Sequence, residues 1–143
     1  MQLQPAWYCL QAHSREKSEK SMLAKKPEII ILCNRASQIL KREICAGIEE
    51  EGLLYQVRES SVSDDAAALA REAATDSILE TGIGICLEEA VLTFEKLPAE
   101  KPLFTVRQTD QETGREIARL LGKNAARLVK KQPFVYPQTT AKV

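Results

Sequence analysis

The stretch EIIILCNRASQILKREICAGIEEEGLLYQV, residues 28–57, decides the fold. Ile29 to Cys33 is an unbroken apolar run rich in β-branched residues, the pattern of a strand buried on both faces. Ser37 is placed to cap a helix, and Leu40, Ile44 and Ile48 follow at i, i+4 spacing, so one stripe of that helix turns to the core. Gly47 allows a neighbour to come close, and Gly52 stops the helix. Leu53 to Val57 reads as a second short strand. The unit is β–α–β, with a right-handed crossover expected.

Downstream the alternation continues. Ser63-Asp64-Asp65 supplies a cap and then acids at the positive end of a helix dipole. Ala66 to Ala73 is Ala-rich enough to lie close to a sheet. Thr81 to Leu87 reads as a third strand and Ala90 to Phe94 as a fourth, joined at the polar pair Glu88-Glu89. Leu97-Pro98-Ala99 breaks the chain before a fifth strand, Leu103 to Val106. A last helix runs from near Thr113 to about Val129 and turns Ile117, Leu121, Ala125 and Leu128 inward. Gly122 costs it about 1 kcal/mol relative to Ala, so one helix or two abutting ones fit this stretch. Pro133 and Pro137 end regular structure. The order βαβαβββα predicts a single compact α/β domain of two or three layers over residues 28–134, with 135–143 as a C-terminal tail.

Residues 1–27 are apolar only briefly, at Trp7-Tyr8-Cys9-Leu10, and polar from His13 to Ser21. They read as a mobile N-terminal extension, with a short amphipathic docking helix as the alternative. Met22 offers a second starting point. The N-terminus lacks the apolar core of a secretory signal, so the cytoplasm is the expected compartment. With 143 residues, 44% of them apolar, and six Gly and six Pro, the chain is neither disordered nor low-complexity. Its longest apolar run is too short to span a bilayer. Twenty basic and twenty acidic residues give no wholesale excess suited to a nucleic acid. Four cysteines without a CxxC pair, and a lone His13, specify neither a zinc site nor a disulfide framework.

The zero net charge is a sum of unequal parts. Residues 1–27 are net +3, residues 28–112 net −9 and residues 113–143 net +6. A polarised surface of this kind meets another macromolecule, or it is compensated internally by packing the basic segment beside the acidic one.

Gly82-Ile83-Gly84 lacks the third glycine and the following helix of a dinucleotide fingerprint, so glycines in a strand under a close helix fit better. No phosphate loop or nucleophile elbow is present, and one His cannot serve a triad, so no catalytic site is specified. The oddest local feature is Glu49-Glu50-Glu51 before Gly52. Three carboxylates in a last helical turn oppose the negative end of the dipole, each at about 0.3–1 kcal/mol. They form either a solvated acidic end or a place where a carboxylate meets a partner's cation or a hard metal such as Mg²⁺. The complement is the stripe Arg115, Arg119, Lys123, then Arg127, Lys130 and Lys131. Asn124 and Arg127 offer polar contacts to another chain.

Gly47-Ile48-Glu49-Glu50-Glu51-Gly52, Leu97-Pro98-Ala99 with Pro102-Leu103-Phe104-Thr105, and Asn124 to Lys130 with Pro133-Phe134 together resemble the small subunit of diol and glycerol dehydratase reactivases, from about Glu28 to Phe134. The resemblance implies a non-catalytic partner of a chaperone-like large ATPase subunit, in a heterotetramer of two large and two small subunits. The complex would release damaged cobalamin from adenosylcobalamin-dependent dehydratases by subunit exchange. It implies an α/β fold like part of the dehydratase medium subunit, no cobalamin bound by this chain alone, and no nucleic-acid or membrane partner. It also implies Mg²⁺ at the contact with the large subunit, with the middle Glu of the triplet, Glu50, as a ligand. Glu49, Glu51, Asn124 and Arg127 are the further partner-contact candidates. The dehydratase medium subunit itself is the alternative reading. The implied setting is the cytoplasm or a bacterial microcompartment.

Overall fold

The computed structural model describes residues 26–98, 100–107 and 112–137. The expectations on the N-terminal extension, with Cys9, His13 and Met22, lie outside the described residues. The elements are β1 (Ile29–Asn34), α1 (Gln38–Glu50), β2 (Tyr55–Glu59), α2 (Ala66–Asp76), β3 (Thr81–Cys86), β4 (Glu89–Phe94), β5 (Phe104–Arg107) and α3 (Glu112–Lys130). This is the expected βαβαβββα order. The five strands form one sheet in the order β2-β1-β3-β4-β5. β2, β1 and β3 run parallel, and β4 and β5 add on antiparallel.

The alternation of the strands splits their side chains between two helical layers. Ile29, Ile31, Cys33, Ile83, Ile85 and Leu92 face α1 and α3, where they meet Leu40, Ile44, Ile48, Leu121 and Ala125. Ile30, Leu32 and Val91 face α2 and its Leu69, Ala70 and Ala73. The domain is three layers, with the sheet in the middle. Among the described residues no helix is long and apolar enough to cross a membrane.

Both layers are held at backbone contact. A Cβ on Gly82 would come within 2.2 Å of the Ala74 nitrogen, and one on Gly84 within 2.2 Å of the Ala66 oxygen. The two glycines of the Gly82-Ile83-Gly84 motif are therefore the floor on which α2 lies, and its alanines bring the backbone down to them. On the other side α1 and α3 cross at glycines from both helices. A Cβ on Gly47 would lie 2.1 Å from the Arg119 oxygen, and one on Gly122 2.0 Å from the Ile44 oxygen. That contact explains a glycine inside α3, which is one continuous helix and not two.

Most boundaries shift by a residue or more from expectation, and two of the shifts have a clear cause. β2 begins at Tyr55, not Leu53, because Leu53 completes the end of α1 and Arg58 and Glu59 continue the ladder opposite Leu32 and Cys33. The β3–β4 turn is Leu87-Glu88, since Cys86 pairs with Glu89, and Leu87 takes a left-handed φ of 55°. Register decides it: Ile83 opposite Leu92 and Ile85 opposite Ala90 keep the core face in phase. After α3 the chain folds back. Asn124 donates to the Val135 oxygen at 2.8 Å and accepts from the Val135 nitrogen at 2.7 Å. Phe134 and Tyr136 stack edge-on against Phe104 at 5.2 and 6.1 Å. Packing thus reaches past residue 134 to Tyr136.

Candidate functional site

The acidic end of α1 is shaped by its stop signal. Gly52 sits at φ 81°, where an L side chain is disfavoured. Its nitrogen donates to the Glu49 oxygen at 3.0 Å, and Leu53 N donates to the Ile48 oxygen at 3.4 Å. This is the double closure of a Schellman turn. It leaves three consecutive glutamates fanned around the last turn, about 100° apart.

Each finds a different target. The Tyr55 hydroxyl donates to Glu49 Oε2 at 2.5 Å. Glu50 receives Arg119 at 3.0 Å and Lys123 at 3.4 Å. Glu51 receives Arg127 at 3.2 Å and Lys130 at 2.9 Å. Lys130 also donates to the main-chain oxygen of Glu51 at 2.9 Å, so one ammonium serves both the helix end and its side chain. One heptad upstream, Glu43 lies on the face of Glu50 and meets Arg119 at 2.8 Å. Of the two ways to read the polarised charge, internal compensation accounts for Arg119, Lys123, Arg127 and Lys130. Dipole energetics flagged the triplet as unfavourable; the neighbouring helix supplies the missing cations.

The hydrogen bond from Lys130 leads in holding the Glu51 carboxyl below the ordinary carboxylate range; burial opposes it and Arg127 adds to it. The bond to Glu49 raises the Tyr55 phenol, with burial second. Burial pushes the Cys33 thiol up to about 11 and also raises Cys45 and Cys86. These free thiols are protonated and behave as small hydrophobes.

The structure therefore brings Glu49, Glu50 and Glu51 together and places Arg127 beside them. Arg127 divides its guanidinium between Glu51 and the Pro133 oxygen, the latter at 3.2 Å. Asn124 is 4% exposed, and both its amide atoms hold Val135, so it clasps the chain's own return segment. Glu50 is exposed and its contacts come from two long cationic side chains. Among the described residues no group of three His, Cys, Asp or Glu side chains could hold a metal ion. Glu50 offers one carboxylate with lone pairs to spare beyond its two cationic contacts. Its oxygens are of the hard type that a divalent cation takes, and at present they are engaged by Arg119 and Lys123.

Sequence reasoning missed Glu43, which lies seven residues from Glu50, and Tyr55, which it had placed inside a strand. It saw the four-residue repeat of Arg119 and Lys123 as a complement to the acid triplet without assigning either residue to Glu50. A concavity of about 870 Å³ lies elsewhere, at the C-terminal edge of β1 and β3, and is lined in part by Arg35, Asp64, Leu87, Glu89 and Arg107. This is where strand order reverses and α/β sheets commonly take ligands. Its arginines are paired across it, Arg35 with Asp64 at 3.2 Å and Arg107 with Glu89 at 3.7 Å.

Comparison with known proteins adds the following. A family described as Dehydratase medium subunit matches residues 26–135. The propanediol dehydratase-reactivating factor small subunit of Citrobacter freundii is 38% identical over 108 residues, covering 76% of this chain and 90% of that protein. The diol dehydratase-reactivating factor small subunit of Klebsiella michiganensis is 35% identical over 108 residues, covering 76% and 83%. The solved diol dehydratase-reactivating factor complexed with ADP and Mg²⁺ superimposes with a TM-score of 0.70 at 35% identity, over 78% of this chain and 100% of that one. The solved glycerol dehydratase reactivase gives a TM-score of 0.71 at 36% identity, over 78% and 98%.

Proposed function

The chain belongs to the family of small subunits of diol and glycerol dehydratase-reactivating factors, and from that premise we propose that it is the non-catalytic partner of a large ATPase subunit. The observation that carries this is the fit to two solved reactivases over nearly their whole chains. The same fit favours a reactivase subunit over a medium subunit of the dehydratase itself.

The working part is the fold as a whole. The match to the dehydratase medium subunit family supports a chain shaped to take up contacts made for that subunit. We read this as the basis of subunit exchange: the small subunit leaves its large partner, occupies the medium subunit's place against the dehydratase, and loosens the grip on damaged cobalamin. On this reading the factor is a heterotetramer of two large and two small subunits, and this chain alone binds no cobalamin. Three free cysteines among the described residues suit a reducing cytoplasm.

In the resting factor, Glu50 at the end of α1 would meet the large subunit. Bound Mg²⁺ would supply a hard positive charge shared between carboxylates of the two chains. Glu50 contributes one oxygen ligand from this side, while Glu51 stays committed to α3 and holds the helix end in place. The experiment is reactivation: a diol or glycerol dehydratase carrying an inactive cobalamin is mixed with ATP, Mg²⁺, intact coenzyme and the large subunit, with and without this chain. Recovery of activity that requires both subunits is expected. Equal recovery without this chain would contradict the proposal.

A further inference from the structure

Between α1 and α3, the four linked charges of Glu43, Arg119, Glu50 and Lys123 are held unequally. Arg119 reaches Glu43 with two nitrogens, Nε at 2.9 Å and the Nη2 nitrogen at 2.8 Å, and Glu50 with one, at 3.0 Å. The Glu43 side chain is 16% exposed and that of Glu50 is 43% exposed. Lys123 adds a single ammonium to Glu50 at the longer distance of 3.4 Å. The planar guanidinium thus places two nitrogens on one oxygen of the more buried acid, and the flexible ammonium rests on the more exposed one.

We propose that Lys123 is the internal competitor that sets how readily Glu50 is given up to a divalent cation, while Glu43 retains Arg119 when Glu50 leaves. This rests on the reading that Glu50 meets Mg²⁺ at the contact with the large subunit. If Glu50 turns away, Arg119 remains neutralised by Glu43, so the loss falls on Lys123. That ammonium is a like charge beside any cation Glu50 takes up, and it opposes capture until it swings into solvent. The pair therefore keeps the acidic end quiet in the free subunit and sets the Mg²⁺ concentration at which it becomes available. Lys123 is a positioning residue here, acting through Glu50.

The test measures association of the purified large subunit with this chain by calorimetry across a MgCl₂ titration, for the wild type and for Lys123→Gln, Lys123→Arg, Glu43→Gln and Glu50→Gln. Lys123→Gln should lower the Mg²⁺ midpoint by about two- to fivefold, the size of one exposed ion pair, and Lys123→Arg should restore it. Glu43→Gln should raise the midpoint by a similar factor, because Arg119 then turns its charge on Glu50. A purely structural lysine would shift the melting temperature and leave the midpoint alone. If Glu50→Gln abolishes the Mg²⁺ dependence while Lys123→Gln and Glu43→Gln leave the midpoint unmoved, the competition is overturned and the reading of Glu50 survives. If Glu50→Gln also leaves the dependence intact, both fall.

Discussion

On one face of the sheet α2 presses its backbone onto Gly82 and Gly84; on the other, α1 and α3 cross at Gly47 and Gly122. The first seam is glycine against alanine, with Ala66, Ala70, Ala73 and Ala74 all buried. In the second, one glycine on each helix meets the backbone of the other, Gly47 at Arg119 and Gly122 at Ile44, flanked by ion pairs that carry Glu43, Glu50 and Glu51 onto four cations of α3. Steric contact has no setting other than fit. Ion pairs at the rim of a seam can be traded for other ions at small cost. On the proposed function, the α1–α3 face, with its exchangeable ion pairs, is the one that meets a partner.

The sharpest way to break this contrast is Gly84→Val. Its side chain would meet the backbone of Ala66 and Ala70, which cannot shift without lifting α2, so a loss of about 3 kcal/mol or more is expected. Chemical denaturation in low and high salt should give the same loss, and a salt-dependent one would place charge where only packing is claimed. Gly122→Ala comes next, and its sign matters more than its size. Helix propensity alone predicts a gain of about 1 kcal/mol, yet the 2.0 Å approach to the Ile44 oxygen predicts a net loss of about 1–3 kcal/mol. A stabilised variant would mean that the helices do not cross as closely as described.

Glu51→Gln tests the ionic rim and should cost about 1 kcal/mol. The folded-state pKa of Glu51 is depressed, so its contribution is complete above the unfolded value near 4.5 and disappears as pH falls through the folded value. Wild type and variant should accordingly differ at neutral pH and converge in acid. A difference that persisted below that range would assign the effect to packing. The smallest effect belongs to Arg58→Met, which removes an exposed pair with Asp76 for about 0.5 kcal/mol or less, measurable as a shift in the urea midpoint.

Much of this was legible because it is local. The Ile29–Cys33 run, the stripe Leu40-Ile44-Ile48 and the glycines under an alanine helix each carry their own periodicity or punctuation. Leu53 was misread as strand because an apolar residue looks alike whether it pairs in a ladder or closes a helix end, as its bond to the Ile48 oxygen does here. The acid triplet and the basic stripe were both visible, and their packing together was one of two readings, but which cation meets which acid was not legible. Arg119 lies 69 residues from Glu50 and Lys130 lies 79 from Glu51, and no helical period spans that distance. Asn124 is the clearest case: an amide on a basic helix resembles a surface contact, and folding turns it into a clasp on Val135.

Glu50 is the carboxylate that we propose this chain offers to its large partner. The direct measurement is the affinity of the purified large subunit for wild type and for Glu50→Gln, each in Mg²⁺ and in EDTA, with melting temperatures recorded alongside. The wild type should bind more tightly in Mg²⁺, and Glu50→Gln should bind equally in both while melting close to wild type. A Glu50→Gln subunit that keeps the full Mg²⁺ dependence would contradict the account.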